Sequence, residues 1–171
     1  VLAVGFPALA TARFDETTVA CDHRYGKPTT VKVVGTDQVR WYQKNDYIVE
    51  AVFSKGRAVE IFYSRLDGQG LKNEELYALL RFNMGEAKWR KVDQVAQWTA
   101  ANHGKPLNEA QQIALMEDLS SFILFRRADD RAEASYDRDE GVLFIGDTKR
   151  LEEARKKALL ERNIPASLQG F

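Results

Sequence analysis

The sequence predicts an α+β fold in which an antiparallel sheet of hairpins is covered by helices. Three observations lead there. Residues 29–64 are rich in β-branched and aromatic side chains, alternate in polarity, and are cut into short runs by turn dipeptides. A second region of the same kind returns at residues 121–147. Segments with helical spacing precede, separate and follow the two regions.

The first helix is expected over residues 14–25. Asp15 and Glu16 favour its positive end, Gly26 suits its stop and Pro28 prevents continuation. Phe14, Cys21 and Tyr25 then share one face. Three or four antiparallel strands follow in "TTVKVV", "QVRWYQ", "YIVEAVF" and "RAVEIFYS", with Lys44-Asn45-Asp46 and Ser54-Lys55-Gly56 as tight turns. In the second strand Val39 and Trp41 share one face, and Arg40 and Tyr42 the other. Residues 66–72 form a loop. Asn73 caps a helix with Glu74 and Glu75 in its first turn, a stripe of Leu76, Leu79 and Leu80, and Gly85 as its end. Trp89 and Trp98 pack around a short helix over residues 92–101, and another helix spans residues 107–119. "SFILFRR" is a strand. "RAEASYD" and "GVLFIGD" form a hairpin across Arg138-Asp139-Glu140. The last helix covers residues 148–163 before Pro165. Its Leu151, Ala154 and Ala158 are expected over the same sheet as the leucines of the preceding stripe.

A chain of 171 residues suffices for one ordinary domain, and no Pro- or Ser-rich linker divides it. "WYQKNDYIVEAVF" can be laid over "LFRRADDRAEASY" so that Asp46, Glu50 and Ala51 meet Asp129, Glu133 and Ala134, with Lys44 over Arg127. The Gly-Lys-Pro of "RYGKP" also returns in "NHGKP". The expectation is a single domain over residues 13–171, with two similar halves, 13–85 and 86–171, as one reading and unrelated hairpins with Asp turns as the other.

Apolar residues make up 44% of the chain and charged residues 29%, a globular balance. The 25 basic and 25 acidic side chains cancel, so the broad positive field that nucleic acid requires is lacking. No apolar run has the length of a transmembrane helix. "VLAVGFPALATA", residues 1–12, is uncharged and ends in an A-x-A pattern at Ala10-Thr11-Ala12, as in the back half of a secretory signal peptide. A buried N-terminal element is the alternative. The signal-peptide reading places the protein in the periplasm or outside the cell.

Candidate chemistry is sparse. Gly26-Lys27 follows a helix and precedes a strand, the reverse of a phosphate loop, and so reads as a stop signal. Asp137-Arg138-Asp139-Glu140-Gly141 has the D-x-D-x-G opening of a calcium loop, but Lys149 stands where the bidentate Glu belongs; a hairpin tip is the competing account. Cys21 is the only cysteine and suits a small buried residue, with a reactive thiol as the alternative. One cysteine with His23 and His103 makes no convincing zinc site, so neither metal nor cofactor is expected.

The order of motifs carries a resemblance. A helix ending in "RYGKP", followed by "VRWYQKNDYIVEAVFSKGRAVEIFY", resembles the small α+β module of outer-membrane assembly lipoproteins of the SmpA/OmlA type. The layout of two tandem helix-plus-sheet halves is similar to that of the β-lactamase inhibitor protein, and also to uncharacterised exported proteins. A lipid-bearing cysteine is absent at the position those lipoproteins use. The resemblance implies a non-enzymatic binding or scaffolding role toward a protein or other envelope component. Trp41, Tyr42 and Tyr63 are then the residues expected on the interaction surface. The alternatives are a hydrolase using Cys21 or a carboxylate pair, and an inhibitor of a secreted enzyme.

Overall fold

The computed structural model describes residues 13–96 and 108–162. Eight strands form one antiparallel sheet: β1 (Thr30–Val34), β2 (Asp37–Lys44), β3 (Tyr47–Ser54), β4 (Arg57–Arg65), β5 (Trp89–Lys91), β6 (Phe122–Arg127), β7 (Ala132–Asp137) and β8 (Val142–Asp147). The named helices among the described residues are α1 (Thr18–Tyr25), α2 (Asn73–Phe82), α3 (Glu109–Ser121) and α4 (Thr148–Arg162). The strand order is β1-β2-β3-β4-β8-β7-β6-β5, two four-stranded meanders joined through β4 and β8.

The hairpins of the first meander follow from their turns. Asn45 and Lys55 both take positive φ at two-residue connections, the backbone that tight hairpins require. The register they fix alternates the side chains between two faces. On the first face one cross-strand row runs Arg40, Ala51, Ile61, Ile145, Ala134, Phe125. Its four central residues, Ala-Ile-Ile-Ala, are all at most 2% exposed. The row beside it holds Tyr42, Val49, Tyr63, Leu143 and Tyr136. Cys21 and Tyr25 of α1 and Leu76, Leu79 and Leu80 of α2 close this face into the core, together with Phe14 and Leu71.

Polar groups pin the helices to that face. Tyr42 donates its hydroxyl to Asp22 (2.8 Å) and Arg40 donates to the other Asp22 oxygen (2.5 Å), which fixes α1 on β2. Glu75 accepts from the Tyr47 hydroxyl (2.6 Å), from Arg65 (2.8 Å) and from the Lys72 amide (2.7 Å), which ties the start of α2 to β3 and β4. Asn83, 1% exposed, ends α2 and joins three segments. Its carbonyl oxygen accepts from the Phe14 amide (3.0 Å), and its amide donates to the Tyr63 hydroxyl (3.1 Å) and the Leu79 carbonyl (2.9 Å).

Five details differ from the expectations. Asn73 is the first residue of α2, and Lys72 stands at its cap. Helix α1 begins at Thr18 with Thr17 as its cap, because the preceding residues pair with β4 instead: the Asp15 amide donates to the Ala58 carbonyl and the Ala58 amide to that of Glu16. Helix α2 stops at Phe82, before Gly85. Trp89 belongs to a short strand; the helix expected over residues 92–101 begins at residue 94, with only 94–96 among the described residues and Trp98 outside them. Helix α4 does not join α2 on the first face. It starts at Thr148, directly after β8, with no loop to carry it across, so Leu151 falls over Gly146 on the second face and Ala154 is exposed. Gly146 permits this approach: a Cβ there would stand 2.5 Å from the Phe144 ring. Ala158 lies outside the residues whose side chains are described.

The expected sequence echo falls on β2–β3 and β6–β7, the inner hairpins of the two meanders. The pairs Trp41↔Glu50 and Arg126↔Glu133 show how they correspond. If Glu50 answers to Glu133, Trp41 answers to Arg126, because Glu133 follows its partner by seven residues and Glu50 follows its own by nine. Lys44 therefore does not answer to Arg127. The "NHGKP" copy lies outside the described residues.

Asn83→Ala leaves the buried Phe14 amide without its acceptor and removes a donor to Tyr63. It is expected to lower the unfolding free energy by about 2–4 kcal/mol, measured by urea denaturation.

Candidate functional site

The first face is mostly core, and the second is the one whose central strands are partly exposed. There a row crosses seven strands: Thr30, Trp41, Glu50, Phe62, Phe144, Ser135, Leu124. From Trp41 to Leu124 every member is partly exposed. Trp41 is held in place. Its indole N–H donates to Glu50 (2.8 Å), and the Lys32 ammonium stands 5.4 Å from the ring centroid, a cation–π distance. The Phe62 and Phe144 rings meet across the β4–β8 seam with centroids 4.8 Å apart.

Charge lies beside the aromatic row. Glu133 of β7 is paired with Arg126 of β6 and with Arg155 of α4 (2.8 Å). Burial alone would raise the Glu133 carboxyl, but the hydrogen bonds from Arg155 and Arg126 outweigh it and hold the group below its ordinary value. A cavity of about 560 Å³ opens here, floored by Leu124, Phe144 and Leu151 and edged by Arg126, Glu133 and Arg155. Nearer β2, Arg150 of α4 donates to Glu60 (2.5 Å) and Asp37 (2.7 Å). Its hydrogen bond is the main cause that holds the Asp37 carboxyl below its ordinary value. Each of these acids is committed to a donor, and a carboxyl held low stays ionised at neutral pH, unsuited to act as a general acid. The face sets aromatic area next to fixed charges.

Of the three residues expected at an interaction surface, only Trp41 lies on this face. Tyr42 and Tyr63 are 1% exposed and point into the core, their hydroxyls bonded to Asp22 and Asn83, so no partner can touch them. They do share a face, as their strand positions imply, but it is the one that α1 and α2 cover. Phe62 and Phe144, Arg126 and Arg155 are the members sequence reading missed. The signal was present in the alternation: Phe62 has the opposite parity to Tyr63.

The other candidates resolve into structural roles. Cys21 is fully buried on α1; burial first, then the nearby Glu16, pushes its thiol up to about 12. Such a thiol is protonated and inaccessible, which removes it as a nucleophile. His23 is exposed, and His103 lies outside the described residues. Gly26 ends α1 at φ 90°, with its amide donating to the Asp22 carbonyl (2.9 Å), a stop signal at the negative end of the helix. Asp137 spends one carboxylate oxygen on the amides of Asp139 (2.9 Å) and Glu140 (3.0 Å), which makes that segment a hairpin tip. Among the described residues no helix is long and apolar enough to cross a membrane.

Comparison with known proteins adds little to this geometry. No family model and no curated protein matches the chain. A solved structure, a cysteine-rich secretory protein from Staphylococcus aureus subsp. aureus Mu50, is similar with a TM-score of 0.47 and 10% identity. The match covers 81% of this chain and 46% of that one, so the chain spans about half the length of that protein.

Two outcomes are expected. In wild-type protein at neutral pH, Cys21 stays unlabelled by a thiol-alkylating reagent until denaturant unfolds the chain; rapid labelling of the native protein is the contrary result. Asp37 has a folded pKa below its unfolded one. Its contribution to stability is therefore fully present above about pH 4 and is lost as the pH falls through the folded value. Arg150→Met removes that depression, so urea denaturation from neutral pH to about pH 3 will show the gap between wild type and variant narrowing as acid is added.

Proposed function

We propose that the chain is an exported, non-enzymatic binding module that engages a protein of the envelope or secreted fraction through the second face of its sheet. The observation that carries this reading is the partly exposed row from Trp41 through Phe62 and Phe144 to Leu124. Aromatic residues and arginine are the side chains most enriched at protein interfaces, and a rigid sheet presents them without loss of backbone freedom. The fixed ion pairs of Arg150 and Arg155 border the row with charges already in place. Export to the periplasm or beyond rests on the uncharged "VLAVGFPALATA" and its A-x-A pattern. We further infer that the two meanders arose by duplication. Equivalent inner hairpins and the pairing of Ile61 with Ile145 across the seam support that history.

The test is affinity capture from an envelope extract, with wild-type protein beside Trp41→Ala and Arg155→Glu. A partner kept by wild type, weakened about tenfold or more by each variant, and bound again after purification is the expected result. The reading fails if the purified protein hydrolyses a substrate in a broad activity screen and a single second-face substitution abolishes that activity.

A further inference from the structure

A second cavity lies on the first face, where α2 no longer covers the sheet. It has a volume of about 370 Å³ and is bounded by Tyr77, Leu80, Arg81 and Met84 on one side and by Trp89, Lys91 and Phe125 of β5 and β6 on the other. Its walls are apolar. Leu80 and Phe125 are buried, and Tyr77, half exposed, stands edge-on to Phe125 with centroids 6.2 Å apart.

Apart from the Tyr77 hydroxyl, its polar side chains are donors only. The Trp89 indole N–H is buried and has no acceptor among the described residues, a state native proteins rarely leave uncompensated. Arg81 and Lys91 are exposed, and neither side chain is paired with an acid among the described residues. No carboxylate is among the described residues that bound the cavity. The adjacent end of α2 offers little competing negative charge, because its last carbonyls already accept: Leu79 from Asn83, and Leu80 and Arg81 from the amides that follow. The contrast with the second-face cavity is direct, since there Glu133 already occupies the arginines.

An occupant complementary to this site has an apolar body and one anionic group with several acceptor lone pairs. We propose that the cavity binds a small apolar monocarboxylate, its hydrocarbon part against Leu80, Met84 and Phe125 and its carboxylate taken by Arg81, Lys91 and the Trp89 N–H. The volume lies at the small end of the range for ligand pockets, which suits a single ring or a short acyl chain. This site is separate from the second face and does not depend on the function proposed above.

The probe is 4-phenylbutyrate, with the neutral 4-phenylbutanol as control, titrated into the whole chain. Calorimetry gives affinity, and the indole N–H resonance of Trp89, assigned by its loss in Trp89→Phe, reports the place. The expected result is saturable binding with Kd below about 1 mM, a shift of the Trp89 resonance, and binding of the alcohol at least about tenfold weaker. Arg81→Gln and Lys91→Gln each weaken the acid several-fold and leave the alcohol unchanged. Both substitutions are on exposed side chains, and an unchanged thermal midpoint verifies that the variants fold. Equal affinity for acid and alcohol, binding that leaves Trp89 unshifted, or no saturation by about 10 mM overturns the proposal.

Discussion

The pairing of β4 with β8 is the constraint on which the rest of the molecule depends. Each meander alone has four strands held by local turns, and each would leave its last strand as an open edge. The seam closes both edges at once. At its middle Ile61 faces Ile145, both fully buried, and Ala51 and Ala134 stand outside them in the same order on either side. This mirrored row lets α2 rest on a smooth apolar strip, and it aligns Phe62 with Phe144 on the reverse side. A shift of one residue in this pairing would send the isoleucines to solvent and the phenylalanines to the core. The seam thus sets the register of the core and of the exposed aromatic row together. It also joins strands far apart in sequence, the kind of contact that slows folding most.

Two faces of one sheet carry different physics. The first is dry and apolar, and its few polar groups, Asp22, Glu75 and Asn83, anchor what lies on top of it. The second is wetter and held by arginines that reach from α4 to the strands. Abrupt entry into α4 produces that division. The chain has seven residues between β4 and α2 with which to fold back, and none between β8 and α4.

Much of the sheet was legible in the sequence because tight turns and alternation are local. Asn45-Asp46 and Lys55-Gly56 specify hairpins by backbone conformation, and the two-residue period follows at once. What lay beyond reading was long-range. Nothing near Asp15 announces that it pairs with Ala58, so α1 was expected to start too early. Alternation separates Trp41 from Tyr42 and Phe62 from Tyr63, but it cannot say which set a helix will cover. The interaction surface was for that reason assigned to Tyr42 and Tyr63 as well as Trp41. The gapless overlay of the two hairpin sequences could not match the strand pairing on both arms, because Glu133 follows its partner by two residues fewer than Glu50 follows its own.

The β4–β8 seam joins two meanders edge to edge, as an interface between separate chains would, but within one chain. Two free meanders meeting edge to edge would associate only at sufficient concentration and would part on dilution. A covalent tether removes that dependence, because each edge meets its mate at a local concentration fixed by the connecting chain. The tether also fixes the stoichiometry at one of each. It also frees the two sides of the sheet to differ, with aromatic Trp41 paired to Glu50 on one side and charged Arg126 paired to Glu133 on the other.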